Sequence, residues 1–244
     1  MLARARMGVT FDWWGTLFEH RNTTARRVQL IVDSLAAEGI SCEVPTVRAA
    51  YETAAARFDE EWRSGRVYPP SQWLDDILAA LGCRLPPARH ALLLRQLEEA
   101  MLADPPRLLP GAAELLQDLH AQGIALGIVS DTGLTVGRVM REILRRCGLL
   151  SLFGGFSFSD EVGVTKPHPQ AFITALRQMG LHPEQAVHVG DLPQTDIRGA
   201  KQIGMRAVLI TAVTGACDDG LADAIVRDHY ELRALLCSWG FLRR

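Results

Sequence analysis

The sequence predicts an α/β protein: a Rossmann-like, doubly wound parallel sheet with a small all-helical domain inserted after the first strand. Three observations predict it. From Ala112 onward, apolar runs of four to six residues alternate with amphipathic helical stretches, the texture of a parallel sheet covered on both faces. Ahead of them one short apolar run, Gly8-Val9-Thr10-Phe11, stands alone and ends in an acid, Asp12. Between them, from about Thr23 to Asp104, the apolar spacing is helical and no strand pattern interrupts it.

Taken in order, the first strand closes at Asp12. The first helix of the insert starts at Thr24, carries Val28, Ile31, Val32 and Leu35 on one face, and ends at Gly39. Further helices are expected over Thr46–Ser64, Ser71–Leu81 and Pro87–Leu102, punctuated by Pro69-Pro70, Pro86-Pro87 and Pro105-Pro106. After Pro110-Gly111 the expected order begins with helix Ala112–Ala121, strand Ile124–Val129, helix Thr135–Cys147 and strand Gly155–Phe158. Helix Pro169–Met179, strand Ala186–Val189, helix Thr195–Ile203 and strand Ala207–Ile210 follow. A weak strand Ala224–Val226 and a helix near Tyr230–Cys237 end the chain. Two domains result: residues 1–17 with 108–244 form the sheet domain, and residues 18–107 the helical insert.

Composition narrows the class. The 244 residues are 48% apolar and 22% charged with a formal net charge of −2. These are globular values, without the basic excess that nucleic acid or an anionic membrane would require. No apolar run approaches the roughly 18 residues of a membrane span. Asp12 arrives before an apolar stretch of about 7–15 residues can form, so no secretory leader is expected. Five cysteines, odd in number and without a C-x-x-C pair, predict reduced thiols in the cytoplasm rather than disulfides or zinc. The chain has only two lysines, Lys166 and Lys201, so a lysine needed for chemistry must be one of them.

In a parallel α/β sheet the ligand site lies beyond the carboxyl ends of the strands. Those ends carry Asp12, Ser130-Asp131-Thr132 and Gly190-Asp191. Four segments stand out: Phe11-Asp12-Trp13-Trp14-Gly15-Thr16-Leu17; Ser130 after Gly127-Ile128-Val129; Thr165-Lys166-Pro167; and Gly190-Asp191-Leu192-Pro193-Gln194-Thr195-Asp196. Together and in this order they resemble the four motifs of the haloacid dehalogenase superfamily of hydrolases. The helical insert occupies the position of that superfamily's C1-type cap.

The resemblance implies a role for each residue. Asp12 is the expected nucleophile, since a carboxylate can form a covalent intermediate that water later hydrolyses. Asp12 and Asp191 are expected ligands of Mg²⁺, a cation that takes oxygen ligands, and the Trp14 carbonyl is expected to add a third. Asp196 is either a further ligand or a group that holds the site from behind. Ser130 is expected to donate to a phosphoryl oxygen, and Lys166 to hold the nucleophile and offset developing charge. Gly15 gives the turn after the nucleophile its backbone freedom, Thr16 closes it, and with Asp131 they are the candidate substrate-binding residues. Lys201 reads as a solvated surface charge. His168, His182 and His188 lack metal-ligand spacing and read as ordinary structural residues. Trp62 and Trp73 either pack the insert or face a cleft.

One position departs from the pattern. Phosphatases of this superfamily carry a second acid two residues after the nucleophile, where this chain has Trp14. Indole exchanges no proton in this range, and the lost role is typically worth about 10²–10⁴-fold in rate. Three readings remain open. The first is a Mg²⁺-dependent small-molecule phosphatase or phosphotransferase. It would use a leaving group that needs little protonation, or an acid borrowed from Glu19, His20 or the insert. The second is a 2-haloacid dehalogenase, where the same position is aromatic and halide leaves without a proton. The third is a module that binds phosphate and Mg²⁺ without turnover. A phosphonate hydrolase would need a lysine in the insert, and residues 17–107 contain none. In a C1-type cap the insert excludes water and selects a small, phosphorylated substrate. Arg57, Arg63 and Arg66 are available there for an anionic tail.

Overall fold

The computed structural model describes residues 7–217 and 220–243. By its contacts the chain divides into two compact units. One holds residues up to 20, 106–131 and 144–244; the other holds 21–105 and 132–143.

The first unit is built on a parallel sheet. Its strands are β1 (Gly8–Phe11), β2 (Ala125–Ser130), β3 (Phe153–Phe158), β4 (Ala186–Gly190), β5 (Arg206–Ile210) and β6 (Ala224–Val226), in the spatial order β3-β2-β1-β4-β5-β6. Every pair is parallel. This is the doubly wound order, and its switch point lies at β1 and β4, where Val9 and Phe11 face Val187 and Val189 in register. These central strands are covered on both faces, so their residues are apolar and fully buried. Two polar residues break that rule, Thr10 and His188, and they are register partners.

Helices of this unit match the amphipathic stretches. Ala112–Ala121 and Pro169–Met179 form as expected, and the last helix spans His229–Ser238. Phe172, Ala175 and Met179 of Pro169–Met179 pack with Ile197, Ala200 and Leu209 against the sheet. Two details differ from the sequence reading. A short helix, Ser159–Val162, follows β3. The expected helix Thr195–Ile203 is a turn of π-helix over Pro193–Ile197 that passes into an α-helix over Arg198–Gln202. Wide turns of this kind commonly mark functional sites. Lys201, its side chain 32% exposed, makes a surface ion pair with Asp223.

The second unit holds helices Thr24–Ala36, Val44–Arg63, Pro70–Ala80 and Pro87–Glu99, followed by a 3₁₀ turn over Ala100–Ala103. Pro70 and Pro87 open their helices, where a missing N–H costs nothing. Ile31, Leu35, Leu74, Ile77, Leu93 and Leu97 form the core. Trp73 belongs to it, stacked on Phe58. Arg57 pairs with Asp76 and Arg66 with Glu61.

The sequence reading put residues 132–143 with the sheet, but their contacts are with these helices. Leu134 lies in the helical core. The buried Arg27 donates from Nε to the Leu97 carbonyl at 3.0 Å and from Nη2 to Thr135 Oγ1 at 2.9 Å. Arg138 binds Glu98 and Glu99. The helix expected from Thr135 starts at Gly137 and runs to Arg146. Among the described residues no helix is long and apolar enough to cross a membrane. All five cysteines are free.

Candidate active site

Asp12 follows β1, and its N–H donates to the Val189 carbonyl at 2.9 Å, so the strand pairing itself sets its backbone. A tight turn comes next. Leu17 and Phe18 both donate to the Trp13 carbonyl, and Gly15 donates to the Phe18 carbonyl at 2.8 Å. Trp13 anchors the turn: it is fully buried and stacked on Phe18, centroids 4.2 Å apart. Gly15 is there for two reasons. Its φ is +70°, and a Cβ would lie 2.4 Å from Asp191 Oδ2. Trp14 is half-buried and lies against the His20 imidazole. Thr16 is buried with no hydrogen-bond partner for Oγ1.

Ser130 ends β2, the neighbour of β1, and its hydroxyl makes a long 3.3 Å bond to the Asp131 carbonyl. Asp131 accepts the Lys166 N–H at 2.9 Å. Its carboxylate therefore ties down the Lys166 loop. Lys166 is buried, and Nζ donates to Asp12 Oδ1 at 2.5 Å and to Asp196 Oδ1 at 2.6 Å.

Asp191 follows β4, and its buried Oδ1 has no hydrogen-bond partner. Asp196, on the π-helical turn, is the opposite case. Oδ1 accepts from Lys166 and from His188 Nε2, the latter at 3.1 Å, while Oδ2 accepts the Leu192 N–H at 3.1 Å. Gly190 makes room for it, since a Cβ there would lie 2.3 Å from Asp196 Cγ. His188 was read from sequence as a plain structural residue, yet it touches this cluster directly. The available signal was an imidazole inside the strand Ala-Val-His-Val-Gly, two residues before Gly190-Asp191.

The electrostatics follow from burial. Burial raises Asp12 to about 7, against the pull of Lys166 and with the push of Asp196. Burial also raises Asp191 to about 8, helped by the charges of Asp12 and Asp196. For Asp196 burial works the same way, but Lys166 and the His188 bond outweigh it and hold it at about 2. Burial disfavours charge on Lys166 too; Asp12, Asp196 and Asp131 overcome it and keep the ammonium charged. His188 is pushed down by burial and stays neutral.

Three buried carboxylates share one ammonium, Lys166, and burial holds two of them, Asp12 and Asp191, above the ordinary carboxylate range. A divalent cation bound there would favour the ionised forms of both. Asp12, Asp191 and Asp196 each offer an oxygen within 4.8 Å of the others. An all-oxygen donor set suits Mg²⁺. Asp191 contributes a buried oxygen that has no hydrogen-bond partner.

The comparisons with known proteins agree with this geometry. The family described as haloacid dehalogenase-like hydrolase matches residues 7–204. A glyceraldehyde 3-phosphate phosphatase of Methanopyrus kandleri is 43% identical over 101 residues, which is 41% of this chain and 42% of that protein. The match thus spans less than half of that relative's length. Two solved structures match nearly end to end. A HAD phosphatase from Thermococcus onnurineus is 27% identical with a TM-score of 0.63, covering 94% of this chain and 97% of the other. A 2-haloacid dehalogenase from Pseudomonas syringae is 25% identical with a TM-score of 0.70, covering 96% and 99%. With four motif segments gathered at the switch point of a doubly wound sheet, this chain belongs to the haloacid dehalogenase-like hydrolases.

Proposed function

We propose that this chain is a Mg²⁺-dependent phosphatase or phosphotransferase of small molecules, acting through a phosphorylated Asp12. One observation carries the reading. Lys166 bridges the buried carboxylates of Asp12 and Asp196 beside an Asp191 oxygen that has no partner in the protein. That arrangement suits a carboxylate nucleophile and an oxygen-seeking cation, and is an expensive way to fill a core. The relative named as a phosphatase supports the same reading.

Each residue then has a task. An Asp12 oxygen attacks phosphorus, the bond to the leaving group breaks with its electron pair, and water later cleaves the aspartyl phosphate. Lys166 keeps Asp12 oriented and offsets negative charge on the transferring group. Ser130, held by only one long bond, can turn its hydroxyl to a phosphoryl oxygen. Thr16, whose buried hydroxyl has no partner, and Gly15 in the turn after β1 are assigned the remaining substrate contacts. Asp12, Asp191 and the Trp14 carbonyl, with Asp196 behind them, would hold Mg²⁺, which as a Lewis acid neutralises phosphoryl charge. Trp14 supplies no proton, so leaving groups stable as anions, such as acyl or aryl phosphates, are favoured. The helical unit serves as the cap that selects the substrate.

Phosphate release from acetyl phosphate and p-nitrophenyl phosphate, with Mg²⁺ and with EDTA, tests this. Release that requires Mg²⁺ and vanishes in Asp12→Asn is the expected result. A second reading, a 2-haloacid dehalogenase, is favoured by the aromatic Trp14 and by the likeness to the Pseudomonas syringae enzyme. It predicts halide release from a 2-haloacid in EDTA. Binding of phosphate with Mg²⁺ but without turnover would point to the non-catalytic alternative.

A further inference from the structure

We propose that His188 is a positioning residue for Lys166, acting through Asp196 to set the ammonium against Asp12. The inference rests on the phosphatase reading for its kinetic consequence, but its structural consequence can be measured without turnover.

The strand β4 is buried at every residue, and a valine at 188 would fill the place with no polar cost. An imidazole there must find partners for both nitrogens or lose the desolvation energy of each. It finds both. Thr10, its register partner on β1, lies 2.9 Å from Nδ1, and Asp196 Oδ1 lies 3.1 Å from Nε2. A carboxylate can only accept, so Nε2 carries the proton and Nδ1 accepts from the Thr10 hydroxyl. The Phe172 ring packs edge-on at 5.0 Å and 88°, which fixes the plane of the imidazole.

The consequence reaches the nucleophile in two steps. Leu192 N–H holds Asp196 Oδ2 and His188 holds Oδ1, so the carboxylate cannot swing. Its Oδ1 then presents one fixed acceptor to Lys166 Nζ, whose other bond goes to Asp12. Without His188, Asp196 keeps the Leu192 bond but can rotate about it, and Lys166 loses its fixed second anchor. Groups one step removed from a reacting centre typically contribute about 10–100-fold to activity.

The full-length chain carrying His188→Leu or His188→Gln makes the test. Glutamine places an amide N–H near the position of Nε2; leucine does not. For acetyl phosphate with Mg²⁺, His188→Leu should lower kcat by about 10–100-fold with little change in KM, and His188→Gln should recover most of the loss. The second readout is the Nζ resonance of isotope-labelled lysine. Only Lys166 and Lys201 contribute, and Lys201 sits on its own partner, Asp223. His188→Leu should shift the Lys166 signal and leave that of Lys201, and His188→Gln should restore it.

An unmoved Lys166 signal in His188→Leu overturns the proposal, and so does a shift that His188→Gln fails to reverse. If wild type releases no phosphate, the phosphatase reading fails while the resonance still decides the positioning. If His188→Leu does not fold, Thr10→Val takes its place. It releases Nδ1 and should move the same signal, and constancy there overturns the proposal.

Discussion

Asp196 occupies the space that a side chain on Gly190 would need: a Cβ at Gly190 would lie 2.3 Å from Asp196 Cγ and 2.4 Å from its Cβ. The last residue of β4 is therefore bare so that the carboxylate can fold back over it toward Lys166. Gly190→Ala must push Asp196 aside. We expect a loss of about 1–3 kcal/mol in stability, typical of forcing a methyl into a packed core. Phosphate release should fall more than that loss explains, because Lys166 loses an anchor. Urea unfolding beside kinetics checks both, and unchanged kinetics would contradict the packing argument.

Gly15 offers a parallel test on the other side of the cluster. Its positive φ alone costs an alanine about 1 kcal/mol. The larger effect is local, since the new Cβ would meet Asp191 Oδ2 at 2.4 Å. Gly15→Ala should therefore weaken Mg²⁺ binding, measured by calorimetry, by at least about 10-fold, the scale of disturbing a ligand's setting. Equal affinity in both proteins would remove Asp191 from the cation site.

Trp14 gives the substrate-class prediction. Its indole stacks on His20 and offers no proton to a leaving group. Trp14→Asp should raise the rate with an alkyl phosphate by up to about 10²-fold, the lower range of general-acid effects. Acetyl phosphate should gain far less, because its leaving group departs as a stable anion. Equal gains for both substrates would show that leaving-group protonation is not what Trp14 limits.

Stability should depend on pH through His229, which is buried and which burial holds at about 4, below its ordinary 6.5. Between those values the unfolded chain binds the proton and the folded one does not. The stabilisation is thus full above about pH 6.5 and is lost as pH falls toward 4. The full loss is about 3 kcal/mol, of which about 2 kcal/mol is gone by about pH 5. Urea unfolding at about pH 7 and about pH 5 should show a smaller pH loss in His229→Gln than in wild type. An equal loss would place the effect elsewhere.

What could be read from sequence follows from what is local. Asp12, Ser130, Asp191 and the strand runs before them form contiguous patterns, because a parallel sheet delivers polar residues at strand ends. Lys166 stood out because only one other lysine exists. His188 did not stand out, since its meaning lies in Thr10, 178 positions away, and in a register no local pattern encodes. The grouping of residues 132–143 with the helices was hidden for the same reason: Arg27 meets Thr135 across 108 positions. The wide turn over Pro193–Ile197, which overlaps the start of the expected helix Thr195–Ile203, has no local signature either: Asp196 within it bonds the Leu192 N–H and, 30 positions back, Lys166.

The central claim is that Asp12 becomes phosphorylated in a cation-dependent reaction. Its most direct test is acid-quenched mass spectrometry of the peptide carrying Asp12, after mixing the protein with acetyl phosphate in Mg²⁺ or EDTA. A phosphoryl group on Asp12 that forms only with Mg²⁺ and is absent from Asp12→Asn is the predicted result. Phosphate release with Asp12 never modified, or undiminished release in Asp12→Asn, would contradict it.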